Sequence, residues 1–468
     1  FSEHLITEKH IHSNILEELH TYTFSRLNLD IILITSFFDG FADDCVVTFN
    51  KEYSLPPILA IFYDLIPLIY QKEYLDVNSE FKEFYLSRLE RINDLDGLLC
   101  ISRASMEEAS TLLNLNKKNI FNISSACDTS IFNLDKNHSF TTIKELPDKY
   151  ILYTGAADPR KNLLALIRAY CNLDSSLKRI YKLVLVGKFT DNQRRNIILE
   201  IERLRESKDR IVFLGYISDL ELKYLYQNCS LFVFTSRHEG FGLPVLEAMA
   251  SGAVVLASDI PSIKEIIGDD QYLFDPSDEE MISSKIAKFL VDENLRLKSL
   301  NNSSIQVENF SWTYTAQFAN DVFKEVSSFS NNDSFSRFNW DLINDQRKSN
   351  HLKCIQGLIS YLGKIMGLLP NNVYIQQLST CIYLIDSETD IYNRRLLPGE
   401  DINAWHIEGP LDSDYSLAIL NRNFALALSK IIDNITIFNT EGPGDYSPNI
   451  SFLKEKKDFY SLYLKAKV

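Results

Sequence analysis

Between residues 150 and 257 the chain alternates short apolar runs with segments of helical periodicity. The apolar runs lie at 150–154, 181–186, 210–214, 230–235 and 253–257, and helix-period stretches fill 158–170, 192–204, 218–228 and 244–250. Strands without polar alternation need both faces covered, and helices between them supply the cover, which is the pattern of a parallel sheet. Serial βα units of this kind close as a doubly wound α/β domain. Ser218 with Glu221 three residues on has the capping-box spacing and fixes one helix start. Segments 278–290 and 312–326 read as closing helices.

The residues before 150 repeat the pattern more loosely, with apolar runs at 30–35, 58–62, 97–101 and 120–123 and helix-like stretches at 80–95 and 105–113. After 326 the pattern stops. Asn331, Asn332, Asp333 and Ser334 make a polar break, and 353–369 carries apolar residues at helical spacing, read as a helix packed on a neighbouring domain, with an interfacial membrane helix as the alternative. From 404 a strand, a helix (415–431) and a strand (435–439) return. The expected division is therefore 1–149, 150–326, a helical linker 327–403, and 404–468 as the start of a further Rossmann-like domain.

Charge and cysteine content narrow the function. With 48 basic and 63 acidic residues the net charge is −15, a poor match for gripping nucleic acid through its phosphates. The seven cysteines include no CxxC pair, which suggests reduced thiols and a cytoplasmic location rather than a disulfide framework or a zinc site. The apolar stretch 54–70 is broken by Pro56, Pro57, Asp64 and Pro67, so no membrane span is expected. The chain begins at Phe1 and its first methionine is Met106, with no targeting segment, so a piece of a longer reading frame is expected.

Two loops carry the chemistry. His238-Glu239-Gly240-Phe241-Gly242-Leu243-Pro244 follows a buried strand and opens a helix, with Glu247 one turn further on. Its glycines permit a sharp bend and close approach to a ligand, and the N–H groups of Gly240 to Leu243 would sit at the helix N-terminus, where anions are favoured. Thr154-Gly155-Ala156-Ala157-Asp158-Pro159-Arg160-Lys161-Asn162 also links a strand to a helix. Adjacent cations there suit a diphosphate. His238 reads as placed for its backbone rather than for acid–base work. The triplets Asp94/Asp96 and Asp412/Asp414 read as caps and junction residues rather than metal ligands.

The pattern E-G-F-G-L-P-x-L-E from Glu239 to Glu247 resembles the retaining glycosyltransferases of family 4. So do Tyr153-Thr154-Gly155 with Arg160-Lys161-Asn162, Val186-Gly187, Phe213-Leu214-Gly215-Tyr216 and Ser258-Asp259-Ile260-Pro261. Tyr63-Asp64-Leu65-Ile66-Pro67 and Cys100-Ile101-Ser102 resemble the same family more loosely. The resemblance implies the GT-B fold, two Rossmann-like domains facing a cleft that holds a nucleotide sugar. It implies that Arg160 and Lys161 bind the diphosphate, Glu239 the donor sugar and Glu247 the ribose, with Gly155 and the backbone of Gly240, Phe241, Gly242 and Leu243 completing the donor site. Tyr63 and Asp64 become acceptor-side candidates, Tyr63 standing where many members have histidine. No metal or other cofactor is implied.

Trp405-His406-Ile407-Glu408-Gly409-Pro410, Tyr415-Ser416-Leu417-Ala418 and Thr440-Glu441-Gly442-Pro443-Gly444-Asp445 resemble the opening of another such module, as in tandem mannosyltransferases of bacterial O-antigen synthesis. On that basis GDP-mannose is the favoured donor and a glycan or lipid-linked glycan the acceptor, at the inner face of the membrane. The alternatives are a non-catalytic nucleotide-sugar or glycan-binding module, and an epimerase or phosphorylase of the same fold.

Overall fold

The computed structural model describes residues 31–41, 47, 55–136, 143, 146–332, 404–409, 416–431 and 434–439. The helix expected at 353–369, Asp412/Asp414 and the 440–445 loop lie outside the described residues.

Two parallel sheets form the frame. The first contains β1 (Ile32–Ile34), β2 (Ile58–Phe62), β3 (Gly97–Cys100) and β4 (Ile120–Asn122), in that spatial order. Every residue of β2 and β3 is buried, as strands covered on both faces require. Helices Ser79–Glu90 and Arg103–Leu112 connect them, the first capped by Asn78 and the second by a Ser102/Ser105 capping box. The helix expected over 80–95 ends at Glu90 and tightens into a 3₁₀ turn, Arg91–Asp94. That turn delivers Asp96, whose carboxylate accepts the Ile58 N–H at 2.8 Å at the foot of β2.

The second sheet contains β5 (Tyr150–Thr154), β6 (Lys182–Val186), β7 (Ile211–Gly215), β8 (Leu231–Phe234), β9 (Val255–Ser258) and β10 (Leu273–Phe274). Its spatial order is β10-β9-β8-β5-β6-β7, all parallel. The order reverses between β5 and β8, which are neighbours, so the loops leaving those two strands diverge and open a crevice. The capping box at Ser218 is formed: its hydroxyl accepts the Glu221 N–H and the Glu221 carboxylate accepts the Ser218 N–H. The single helix expected over 158–170 is two elements. A 3₁₀ turn, Pro159–Lys161, precedes the helix Leu163–Cys171, and Asn162 between them has φ 56°. Asparagine tolerates that left-handed conformation, and the Asn162 amide donates to the Pro276 carbonyl at 2.7 Å. One apolar core runs through the second sheet and takes in Leu59, Ile61 and Leu99 of the first.

Strands β11 (Ala404–Gly409) and β12 (Asn434–Asn439) pair in parallel around the helix Ser416–Leu428. That helix buries Phe424, Ala425 and Leu428 in the same core, and its Asn421 Oδ1 accepts the Tyr63 hydroxyl at 2.9 Å.

Candidate functional site

Both loops singled out in the sequence leave the sheet at the point of reversal. Gly155 starts the first, and Asp158 caps the turn Pro159–Lys161 by accepting the Arg160 N–H at 2.9 Å. This turn thrusts two successive cations into the crevice. The second loop runs from Thr235 at the end of β8 to the helix Leu243–Ala250. The loops are stitched together: the Arg237 N–H donates to the Arg160 carbonyl at 2.7 Å, and the Thr235 hydroxyl donates to the Lys161 carbonyl at 3.1 Å.

Glu239 sits between the cations. One carboxylate oxygen is 2.6 Å from Lys161 Nζ and the other 2.8 Å from the Arg160 guanidinium. The three side chains are only 18%, 14% and 10% exposed for Arg160, Lys161 and Glu239. Burial alone would raise the Glu239 carboxyl, but Lys161 and Arg160 outweigh it and hold it below the usual carboxylate range. Arg160 also donates to the His238 carbonyl at 3.0 Å, and Lys161 Nζ lies 5.3 Å from the Phe234 ring centre. Asp158 also lies 3.9 Å from the Arg160 Nε, so two carboxylates offset the two cations, and a further anion would bind by taking the place of one of them.

Gly242 is the N-cap of the helix at φ 124°, a conformation a side chain rarely adopts, and a Cβ there would meet Ile263 Cδ1 at 2.4 Å. Phe241 turns inward, buried against Phe310 with ring centres 5.7 Å apart, so only its backbone faces the bend. Leu243 begins the helix and Pro244 takes its second position, where a missing N–H costs nothing. Glu247 stands apart from the cation cluster. Its carboxylate is 3.5 Å from the Tyr226 hydroxyl, and burial, with Asp219 adding, pushes its carboxyl up to about 8.

The first domain closes the crevice. A Cβ at Gly240 would lie 2.6 Å from the Tyr63 carbonyl oxygen and 3.1 Å from Asp64, so the end of β2 packs directly on the bend. Asp64 accepts the Ile66 N–H at 3.0 Å; burial raises its carboxyl against that hydrogen bond and Arg160. The Tyr63 hydroxyl is turned away, within hydrogen-bond distance of the Asn421 Oδ1 at 2.9 Å and the Thr35 carbonyl at 3.1 Å, either of which can accept its proton. Ser102, which caps its own helix, donates to the Gly240 carbonyl at 2.6 Å. Glu265 of the second domain accepts the Arg103 N–H at 2.9 Å and so caps a helix of the first domain. His238 Nε2 lies 3.1 Å from Glu108 across the same boundary. Sequence reasoning missed Glu108 and Tyr74, whose hydroxyl lies 2.6 Å from Asp158, because they sit on helices with no motif of their own; Ser102 stands in the Cys100-Ile101-Ser102 match, but its bond to Gly240 was not foreseen. Of the two acidic triplets, Asp94/Asp96 is occupied structurally, Asp94 near Arg91 and Asp96 on Ile58.

Residues 135–304 match the family described as glycosyl transferases group 1. The serotype-specific mannosyltransferase WbdA of Escherichia coli is 33% identical over 323 residues, covering 68% of this chain and 40% of that protein. The O-antigen chain mannosyltransferase B of Escherichia coli is 30% identical over 226 residues, covering 48% of this chain and 59% of that one. The chain thus spans about 40% of the length of the WbdA protein it matches. A solved glycosyltransferase from Rickettsia africae ESF-5 aligns with 66% of this chain and 80% of its own at 18% identity, TM-score 0.49. Residues 135–304 form a glycosyl transferases group 1 domain, in a chain that resembles bacterial O-antigen mannosyltransferases.

Proposed function

We propose that the chain carries out retaining transfer of a sugar, mannose by preference, from a nucleoside diphosphate to a growing surface glycan. The observation that carries this reading is the Arg160–Lys161–Glu239 cluster at the point where the strand order reverses. Glu239 is the anion between the two cations. An incoming diphosphate takes over that role, and Glu239 is released to accept hydrogen bonds from the donor sugar's hydroxyls. As the bond from the sugar to the phosphate breaks, negative charge grows on the leaving oxygen, beside Arg160 and Lys161. The N-terminus of the helix Leu243–Ala250 adds its dipole. With two fixed cations and a helix end, this reading needs no metal. Asp64 lies on the acceptor side, next to Gly240, and Glu247 at the nucleoside end.

The acceptor is a glycan or lipid-linked glycan, reached at the inner face of the membrane by peripheral association. No helix among the described residues is long and apolar enough to cross a bilayer. A unit opening at β11 is in this reading the start of a further transferase module.

Thermal-shift titration with GDP-mannose, UDP-glucose and a dTDP sugar tests the donor. A ligand bound only to the folded protein at about 100 times its Kd adds about 2.7 kcal/mol. GDP-mannose is expected to raise the melting temperature most and to lose mannose to an O-antigen acceptor. No shift with any of the three would remove the donor reading. Binding with no transfer would favour a non-catalytic module.

A further inference from the structure

The segment that leaves β2 reaches the second domain at three points. The Tyr63 carbonyl meets Gly240, the Tyr70 ring stands edge-on to His238 at 6.0 Å, and the Tyr74 hydroxyl lies 2.6 Å from both carboxylate oxygens of Asp158. The third contact has no part in the transfer described above.

Asp158 is awkwardly placed for a diphosphate site. It is an anion beside the cradle, 3.9 Å from the Arg160 Nε, and it accepts the Arg160 N–H as cap of the turn. An unoccupied carboxylate at that distance would draw the guanidinium onto itself and away from the phosphates. The Tyr74 hydroxyl supplies the hydrogen bond that Asp158 would otherwise take from Arg160. Burial first, and the bond to Asp158 second, push the phenol well above its ordinary value, so Tyr74 keeps its proton and stays a donor. Tyr74 ends the short helix Gln71–Tyr74 of the first domain, whereas Asp158 and Arg160 belong to the second.

We propose that Tyr74 is a positioning residue, which holds Asp158 off Arg160 and makes the aim of that cation depend on the two domains being docked. The proposal rests on the donor reading above.

A double-mutant cycle tests it. Calorimetric titration with GDP, UDP and dTDP identifies the tightest nucleotide, which is then titrated into the native protein, Tyr74→Phe, Asp158→Asn and the double variant. Asparagine keeps an oxygen to cap the turn and removes the charge. Tyr74→Phe is expected to weaken binding about tenfold when residue 158 is aspartate and less than about twofold when it is asparagine. Asp158→Asn alone is expected to bind at least as tightly as the native protein. An equal loss in both backgrounds would mean that Tyr74 only packs, and no loss in either would remove its role; both overturn the proposal. If none of the three nucleotides binds the native protein, the donor reading falls and this one falls with it. Binding to the native protein with an additive cycle sinks the Tyr74 proposal alone.

Discussion

Replacing Glu239 with alanine is expected to lower sugar transfer by roughly 100- to 1,000-fold while leaving nucleoside diphosphate binding at least as tight as in the native protein. The two effects separate because, in the function proposed above, Glu239 has two partners in turn. It pairs with Arg160 and Lys161 at 2.8 and 2.6 Å, the contacts for which a diphosphate competes in that proposal. Alanine removes the competitor and strands two cations, each less than a fifth exposed. Breaking one side of a buried ion pair typically costs about 3–5 kcal/mol, so the variant is expected to melt lower when empty. Nucleoside diphosphate should then recover more stability in the variant than in the native protein, because it restores the missing anion. Transfer stays low because nothing replaces the carboxylate on the sugar. Steady-state rates with paired melting curves, with and without nucleotide, check all three points. A variant that transfers at the native rate would remove Glu239 from the chemistry.

Gly240→Ala carries the second large effect. The added carbon would sit 2.6 Å from the Tyr63 carbonyl oxygen and 3.1 Å from Asp64 Cβ. The nearest obstacle is backbone, so it cannot rotate away, and the two domains must part locally. The Ser102 hydroxyl bond to the Gly240 carbonyl, 2.6 Å long, stretches with them. Misplacement by about 1 Å can cost roughly 100-fold in rate, so kcat is expected to fall by that order. Each domain keeps its own sheet, so the far-ultraviolet circular dichroism should not change. Full activity in Gly240→Ala would show that the close packing of β2 on the bend is not needed for turnover.

The strands of the second sheet were legible because helices cover both faces. Leu231–Phe234 is buried at every position and reads as one apolar run. Helix starts were legible where a side chain does the capping, as at Ser218. Asn162 was not: a left-handed residue leaves no trace in the period, and the bond that holds its side chain runs to Pro276, 114 residues away. The same division holds at the site. Arg160, Lys161, Glu239 and the glycine bend stand close to strand ends, where local order dictates their place. The pairing of Glu239 with both cations, 78 residues away for Lys161 and one more for Arg160, follows from the strand order, with β5 beside β8. Tyr74, Ser102 and Glu108 contribute through the docking of one sheet on the other, which no local pattern encodes. The helix Ser416–Leu428 was legible as a helix, but not its Asn421 on Tyr63.

In the proposed function a sugar nucleotide's diphosphate lies between Arg160 and Lys161. Calorimetric titration of GDP into the native protein and into the Arg160→Ala/Lys161→Ala double variant tests it most directly. Two charge-assisted contacts of about 1.5–3 kcal/mol each predict affinity weaker by 100-fold or more in the variant. Equal affinity in the two proteins would contradict it.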